Sequence, residues 1–271
     1  MTISGGEFNY IRGLVRDHSA LLLEPGKEYL VESRLSSVVQ QEGFSSFQGM
    51  VESLRSAPFG ELHRKVIEAM ANNETLFFRD ARAFAMLKNT LMPRLLAARS
   101  QERSLNVWCA ACSSGQEPYS VAMMLRELVP VASWNLRIVG SDLSRDVLDR
   151  ARAGRYSQLE VNRGLPAHLL VKYFQRERGG WTLRPVIRDM VEFHQINLIE
   201  PWPRLPRMDL VLLRNVLIYV GPDTKKSILR RVGRLLAPGG HMLLGAAETT
   251  TNADAAFEPV TIDGATCFRV K

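Results

Sequence analysis

The segment Val-Trp-Cys-Ala-Ala-Cys-Ser-Ser-Gly-Gln-Glu-Pro-Tyr-Ser at residues 107–120 contains the pattern that decides the fold. An apolar strand pattern runs into a turn of small residues, and a helix pattern follows. Small residues let a bound molecule approach the backbone, and the helix presents the positive end of its dipole at the same place. Gly115 is the only glycine, and Ala110, Ala111 and Ser113 supply the other small positions. The segment therefore predicts a nucleotide-type binding turn that is weaker than a full glycine fingerprint.

Strand and helix patterns alternate on both sides of this turn, which is typical of a doubly wound parallel sheet. Asp142 follows the second strand, near the spacing of about 20 residues at which an acidic side chain binds a ribose hydroxyl in such folds. An isolated acid after a strand is usually a turn residue, but beside the Gly115 turn ribose binding is the better interpretation. The patterns predict strands at 105–110, 136–140, 191–196, 209–215 and 241–246 and helices at 117–128, 144–153 and 222–236.

The alternation is interrupted between about residues 156 and 188. A short helix pattern at 166–174 precedes Gly179-Gly180, which lies between two strand-like runs and predicts a hairpin turn. A small inserted antiparallel sheet follows from this pattern. A second hairpin is predicted around residues 263–264, at the end of the chain.

Before the α/β pattern, residues 4–72 are helical almost throughout, with apolar side chains such as Met50 and Leu54 on one face. The natural outcome is a four-helix bundle. A further helix follows residue 80, and Pro93 is expected to kink it. The predicted domains are an N-terminal helical domain (1–72), a linker segment and helix (73–103) and an α/β domain (104–271) with its inserted sheet at about 156–190.

Composition describes an ordinary globular protein, with 271 residues and 46% hydrophobic content. The net charge of +7 suggests either an acidic partner or nucleic acid. No basic run with interleaved aromatic residues supports nucleic acid binding. The first residues have no secretory apolar region, and no run approaches membrane-spanning length, so a cytoplasmic protein without membrane insertion is expected.

Three cysteines argue against a disulfide framework. Cys109 and Cys112 form a C-x-x-C pattern, which could be a redox pair or half of a zinc site. The five histidines have no ligand spacing that would complete such a site. We therefore expect small side chains in a tight turn and no metal.

Several motifs together resemble the CheR family, the chemotaxis receptor glutamate O-methyltransferases. These motifs are Asn-Glu-Thr-Leu-Phe-Phe-Arg at 73–79, the segment 108–120, Gly-Ser-Asp at 140–142, Ile-Asn-Leu at 196–198, Arg-Asn-Val-Leu-Ile-Tyr at 214–219 and Leu-Ala-Pro-Gly-Gly at 236–240. The resemblance covers essentially the whole chain. It implies a helical domain on a Rossmann-like methyltransferase domain with an inserted β-subdomain, which binds S-adenosylmethionine and its product S-adenosylhomocysteine.

The resemblance also implies a set of site residues. Physical chemistry is compatible with Glu117 pairing with the cofactor's amino group, Asp142 with its ribose and the residues at 197–198 with the adenine edge. Arg79 and Tyr219 would be catalytic. The implied cofactor contacts are Asn73, Thr75, Arg79, Glu117, Asp142, Asn197, Leu198, Leu213 and Arg214.

The implied chemistry needs little acid–base help, because a glutamate side chain with a pKa near 4.3 is already ionised at neutral pH. Arg79 would steer this carboxylate, and the Tyr219 hydroxyl would hold the methyl–sulfur end. Without the resemblance, Tyr219 is as readily a packing residue. Residues 73–80 then read as a helix start, with Asn73 as its cap and Arg79 on a solvated face.

Two departures from the family concern the partner, which the resemblance implies to be the cytoplasmic helices of chemoreceptors. Residues 36–41 lack the arginines with which many relatives dock on receptor helices, and the hairpin at 178–181 is short. We therefore expect no dependence on a receptor's C-terminal peptide. The alternatives are a methyltransferase for nucleic acid and a non-catalytic cofactor-binding adaptor, although the adaptor is disfavoured because Arg79, Asp142 and Tyr219 are all present.

Overall fold

A computed structural model describes residues 1–250 and 256–271. Its N-terminal part is a bundle of four helices, as predicted. Ser4 and Glu7 form a capping box at the start of the first helix, and fully buried side chains such as Ile11 and Leu35 fill the bundle core. The helices are α1 (Gly5–Ser19), α2 (Glu28–Gln41), α3 (Phe47–Ser56) and α4 (Glu61–Met70).

The linker that follows is irregular from residue 71 to residue 80 and then helical. Asp80 caps the helix α5 (Ala81–Met86), and its carboxylate accepts a hydrogen bond from the Ala83 N–H. A π-helical turn (Leu87–Leu91) joins α5 to α6 (Met92–Ala98). Pro93 has no N–H for the preceding turn, and the wider π turn accommodates it in place of a simple kink.

The α/β domain begins with β1 (Ser104–Ala110), α7 (Gln116–Leu128), β2 (Asn135–Asp142) and α8 (Arg145–Ala153). The inserted region then contains a three-stranded antiparallel sheet with the order β3-β5-β4. The predicted hairpin is its β4–β5 pair. Its elements are β3 (Arg155–Tyr156), α9 (Gln158–Asn162), α10 (Ala167–Tyr173), β4 (Phe174–Glu177), β5 (Gly180–Leu183) and α11 (Pro185–Arg188).

The main sheet continues with β6 (Val191–Gln195), β7 (Met208–Leu213), α12 (Pro222–Leu235), β8 (Leu236–Leu244), β9 (Phe257–Ile262) and β10 (Ala265–Val270). Its seven strands have the order β6-β2-β1-β7-β8-β10-β9. The first five are parallel, whereas β10 pairs antiparallel with both β8 and β9. The strand order reverses between β1 and β7, and ligands of doubly wound sheets bind beyond the carboxyl ends of the strands at such a point.

The helical domain packs against this same edge of the sheet. Leu21 and Val220 form an antiparallel bridge, and the Leu22 N–H donates to the Tyr219 carbonyl over 2.9 Å. Leu143, which follows β2, packs against the bundle core. The two parts of the chain therefore meet at the carboxyl ends of the parallel strands. Among the described residues, no helix combines the length and the apolar character that crossing a membrane would require.

Candidate functional site

A pocket lies at the switch point between β1 and β7 and is enclosed by both parts of the chain. The α/β domain contributes the turn after β1, the end of β2 and the loops after β6 and β7. The linker segment contributes Asn73, Thr75 and Arg79. The helical domain and its end contribute Ser19, Leu21, Ala71 and Asn72.

The turn after β1 has an unusual backbone. Ala111, Ser113 and Gly115 all have positive φ angles, of 53°, 50° and 90°. Only glycine adopts this region without strain, and Asn and Asp tolerate it best among the others, so Ala111 and Ser113 are held there by the surrounding structure. A Cβ atom at Gly115 would lie 2.9 Å from the Cβ of Ala151 in α8. The turn is therefore held tightly between α7 and α8, and Ala111 and Ser113 line the pocket.

Asp142 ends β2 with its carboxylate beside this turn. One oxygen accepts from the Ser113 N–H over 2.8 Å and the other from the Ser144 N–H over 3.0 Å. Burial raises the pKa of Asp142, and the bonds from backbone N–H groups oppose that rise. Each carboxylate oxygen has a second lone pair, so the group can still accept hydrogen bonds from a diol in the pocket.

A buried ion pair joins α7 to the end of β7. The Arg214 guanidinium donates to Glu117 Oε2 over 2.9 Å and to the Arg79 carbonyl over 3.0 Å. Burial raises the pKa of Glu117, and the Arg214 charge opposes that effect. Removing one partner of such a pair would leave an uncompensated buried charge. Arg214 thus fixes the orientation of Glu117 in the pocket wall. The Nε atom of Arg214 is buried without a hydrogen-bond partner.

The linker segment reaches the pocket as an irregular strap. The Asn73 carbonyl accepts from the Ser113 hydroxyl over 2.7 Å, and the Arg79 guanidinium donates to the Glu74 carbonyl over 3.0 Å. Phe77 is fully buried, in contact with the rings of Tyr156 and Phe174 in the inserted sheet. The alternative that Asn73 caps a helix and Arg79 faces solvent is wrong, because α5 begins eight residues later and Arg79 lines the pocket.

Asn197 and Leu198 line the pocket in the loop after β6, but the Asn197 side chain is already engaged. Its amide nitrogen donates to the His18 carbonyl over 2.7 Å and to Glu200 over 3.1 Å, and its oxygen accepts from the Ile199 N–H. The Asn197 amide therefore binds the helical domain.

Tyr219 lies in a 3₁₀ turn (Leu217–Tyr219) after β7 and lines the pocket. The Asn72 amide donates to its hydroxyl over 2.6 Å. Since that bond uses a lone pair of the hydroxyl, the phenolic proton is free to be donated into the pocket. If Tyr219 were only a packing residue, its hydroxyl would not need to lie half-buried at the pocket with a hydrogen bond from Asn72.

Leu213 is the one implied contact whose side chain is not part of the pocket wall. It ends β7 fully buried in the core beside Val211 and Leu244, whereas Asn215, two residues later, lines the pocket. Sequence reasoning did not single out Asn72, Asn215 or Glu248. Asn72 directly precedes the first family motif and Asn215 lies within another, so both had a local signal.

Of the two C-x-x-C cysteines, Cys112 lines the pocket and Cys109 lies behind it in β1. Cys109 and Cys112 are buried free thiols, and desolvation raises the pKa of both well above the usual value. A thiol in this state is a poor nucleophile and a poor metal ligand. Among the residues that the structure describes, no three His, Cys, Asp or Glu side chains are grouped as a metal site.

The residues present fit S-adenosylmethionine. The turn at 111–115 leaves no side chain larger than Cys112 between the backbone and the pocket, and the two carboxylates of Glu117 and Asp142 can take an ammonium group and a ribose diol. These are the polar groups that such a molecule would bring. The backbone at 197–198 lies beyond Asp142, along the carboxyl edge of the sheet.

Two family models match the chain almost end to end. The CheR methyltransferase all-alpha domain matches residues 6–71, and the CheR methyltransferase SAM binding domain matches residues 73–265. The chain is 37% identical over 276 residues to Chemotaxis protein methyltransferase 1 of Pseudomonas aeruginosa, covering 100% of both chains.

Two further relatives agree with these matches. Chemotaxis protein methyltransferase Cher2 of Pseudomonas putida is 38% identical over 253 residues, covering 92% of each chain. Chemotaxis protein methyltransferase 1 of Vibrio cholerae is 34% identical over 275 residues, covering 100% of this chain and 99% of the relative. The resemblance of the motifs is thereby confirmed, and the chain belongs to the CheR methyltransferase family, with an S-adenosylmethionine-binding domain behind an all-α domain.

Proposed function

We propose that this protein transfers the methyl group of S-adenosylmethionine to glutamate side chains on the cytoplasmic helices of chemoreceptors, and that it does so in the cytoplasm. The observation that carries the proposal is the meeting of Arg79, from the linker, with Tyr219, after β7, in one pocket that also contains Glu117 and Asp142. A cation and a hydroxyl donor then lie in the same pocket as the two buried carboxylates.

The proposed roles follow from chemistry and position. Bound S-adenosylmethionine supplies a methyl group on a positively charged sulfur, which an ionised carboxylate can take without a general base. Glu117 and Asp142 hold the amino and ribose groups, while Asn73, Thr75 and Arg214 complete the wall and the backbone at Asn197 and Leu198 meets the adenine edge. Leu213 can contribute only through its backbone, since its side chain lies in the core.

Arg79 and Tyr219 orient the reacting groups. The Arg79 guanidinium lies on the linker side of the pocket, where it can pair with an incoming carboxylate. The Tyr219 hydroxyl accepts from Asn72, and its oxygen keeps a second lone pair with which it can hold the methyl–sulfur end. Arg79 and Tyr219 thus act by orientation, Arg79 on the carboxylate and Tyr219 on the methyl group, and correct orientation of the reacting groups lowers the barrier of such a displacement.

Incubation with labelled S-adenosylmethionine and receptor-enriched membranes tests this proposal. We expect base-labile methyl label on receptor protein, and much less with a variant that carries both Arg79→Ala and Tyr219→Phe. Label in added RNA or DNA and none in receptor would contradict the proposal. Cofactor binding without any methyl transfer would identify the adaptor alternative instead.

We further propose that the protein does not require the C-terminal peptide of a receptor. Only two residues, Arg178 and Gly179, connect β4 to β5, so the hairpin has little loop with which to enclose a peptide. The hairpin also packs closely on β3, since a Cβ at Gly180 would lie 2.4 Å from the Tyr156 carbonyl oxygen and only glycine fits there. Initial rates on an intact receptor and on one lacking its last residues should be similar. A large loss on truncation would show that the inserted sheet tethers the substrate.

Docking would then rest on the helical domain, where Lys27 and Arg34 are the basic candidates. Arg34 is engaged within the bundle, because its guanidinium donates to the Met70 carbonyl at the end of α4. Lys27 lies 5.9 Å from the centre of the exposed Tyr29 ring. Lys27 is thus the better docking candidate of the two.

A further inference from the structure

Glu248 lies in the segment after β8, and its carboxylate accepts four hydrogen bonds from backbone N–H groups. Its Oε2 accepts from the N–H groups of Asn215 and Gly245, both over 2.7 Å. Its Oε1 accepts from Val216 over 2.9 Å and from Leu217 over 2.7 Å. Glu248 is only 8% exposed.

Three of these donors are consecutive residues, and together they form a concave group of N–H dipoles of the kind that binds anions. Hydrogen bonds from N–H groups to an ionised carboxylate are about twice as strong as neutral ones. Glu248 therefore occupies, from within the chain, an anion site directly beside the pocket.

The segment held in this way leads out of β7 through a tight turn. Asn215 has a φ of 59°, in the left-handed region, and the chain turns there from β7 into the 3₁₀ turn (Leu217–Tyr219). Asparagine adopts that region more readily than most residues, so Asn215 permits the turn, and the bonds from the N–H groups at 215–217 to Glu248 hold it in place. Tyr219, whose hydroxyl lines the pocket, is the last residue of the same 3₁₀ turn.

We propose that Glu248 is a positioning residue for methyl transfer: by filling the N–H site at 215–217, it sets the turn that places the Tyr219 hydroxyl beside the reacting groups. This inference rests on the proposed function, because it assigns Glu248 to the same reaction. It differs from a purely structural tie between β7 and β8, since a tie would affect stability without acting through Tyr219.

Two substitutions perturb the same contacts from opposite sides. Glu248→Gln is nearly isosteric but directs an NH₂ group at N–H donors, so two of the four bonds are lost. Gly245→Ala leaves Glu248 intact, but its Cβ would lie 2.6 Å from Asn215 Nδ2 and 2.8 Å from Glu248 Oε2. Both should lower kcat at saturating cofactor by about 10- to 100-fold, the scale on which a misplacement of about 1 Å acts. Glu192→Gln, at the exposed edge of the sheet, is the matched control and should leave kcat unchanged.

A double-mutant cycle with Tyr219→Phe separates positioning from simple destabilisation. If Glu248 acts through the Tyr219 hydroxyl, Glu248→Gln should lower kcat far less in the Tyr219→Phe background than in the wild type. Independent, fully additive losses would overturn the inference, as would wild-type kcat in both Glu248→Gln and Gly245→Ala.

Amide hydrogen exchange provides a readout that needs no substrate. The N–H groups at 215–217 and 245 should exchange faster in Glu248→Gln, while amides of the bundle core keep their protection. Unchanged protection at 215–217 would also overturn the inference. A wild-type protein that methylates no receptor would contradict the proposed function, and the exchange result would then still decide whether Glu248 holds the turn.

Discussion

At the scale of single residues, Asp142 carries the most direct prediction about cofactor binding. Its carboxylate lies at the end of β2 with one lone pair on each oxygen unused by Ser113 and Ser144. Asp142→Asn keeps one acceptor oxygen for these N–H groups but cannot bind a diol through both oxygens. We expect it to weaken S-adenosylhomocysteine binding by more than about tenfold, a loss of about 1.4 kcal/mol.

Calorimetry checks this prediction, with Asp149→Asn on the exposed face of α8 as its control. Unchanged affinity in Asp142→Asn would remove Asp142 from the proposed site. Loss of affinity in the control would point to a general effect on α8.

The same residue predicts a pH dependence. Burial raises the pKa of Asp142 above its ordinary 3.8, so the folded protein keeps this proton at pH values where the unfolded chain has lost it. Stability from this group is therefore present in acid and is lost as the pH rises through the raised pKa. Cofactor affinity should change with pH in the opposite direction, because the ionised carboxylate is the form that accepts hydrogen bonds from the ribose diol. Affinity should fall as the pH is lowered through that range, and the fall should be smaller in Asp142→Asn.

Arg79 and Tyr219 lead to a prediction about rate. Arg79→Lys keeps a charge but not the planar pair of donors, and Tyr219→Phe removes only the hydroxyl. Both should lower kcat, and Arg79→Lys more, because Arg79 lies where it can meet cofactor and substrate together. Single-turnover rates at saturating cofactor provide the measurement. If both variants react at the wild-type rate, these two residues do not orient the reaction.

Sequence reasoning reached residues that lie within motifs and missed those that act from elsewhere. Asp142 follows a strand at an informative spacing, Glu117 lies within a motif of the family, and both line the pocket. Glu248 accepts hydrogen bonds from backbone N–H groups up to 33 positions away. Every residue except proline has such a group, so the sequence does not reveal these contacts. The residues at 197–198 were assigned to the adenine edge, but only the folded structure shows that the Asn197 amide nitrogen donates to the His18 carbonyl.

At the scale of elements, the turn between β1 and α7 depends on Gly115. An alanine there would have to keep a φ near 90° and accept a contact of 2.9 Å with Ala151. Gly115→Ala should lower the free energy of unfolding by about 1–3 kcal/mol and also weaken cofactor binding, because the turn lines the pocket.

Gly13→Ala is the matched control for this substitution. Gly13 lies inside α1, and no atom is within 4 Å of the position that a Cβ would take there, so alanine should raise the free energy of unfolding by about 0.5–1 kcal/mol. Denaturant unfolding measures both. A Gly115→Ala protein as stable as the wild type would show that the turn can relax.

Elements with a clear periodicity were predicted well, and those defined by pairing partners were not. The helices of the bundle and the strand before Gly115 follow apolar patterns. β8 begins at Leu236, where the end of a helix was predicted and five residues before the predicted strand, because Leu236 pairs with Met208 of β7. β3 is only two residues long and exists through its pairing with β5, which no local pattern announces.

At the scale of the whole molecule, the net charge of +7 predicts how the protein meets its substrate. Glutamate-rich helices are acidic, and the attraction between exposed charges is screened over about 10 Å at 0.1 M salt and about 3 Å at 1 M. The KM for receptor should therefore rise with salt, whereas cofactor affinity should change little because Glu117 and Asp142 are buried. Initial rates at several salt concentrations measure this.

Lys27→Gln tests where that attraction acts. It should reduce the salt dependence, and Lys88→Gln, on the exposed side of the linker helix, should not. Receptor methylation that is insensitive to salt would contradict electrostatic docking.

The hydrogen bond between Asn197 and His18 joins residues 179 positions apart. Asn197 lines the pocket, and His18 directly precedes Ser19, which also lines it. A ribosome that adds about 5–20 residues per second needs about 10–40 s to cover that distance. The bundle, whose buried core consists of residues between 3 and 70, can fold early in this interval, but its face toward the sheet must wait for the later half of the chain. A chain that left the ribosome before its later half was made would have a folded bundle whose pocket-facing side is still exposed to solvent. That exposed side is where we expect a chaperone to bind.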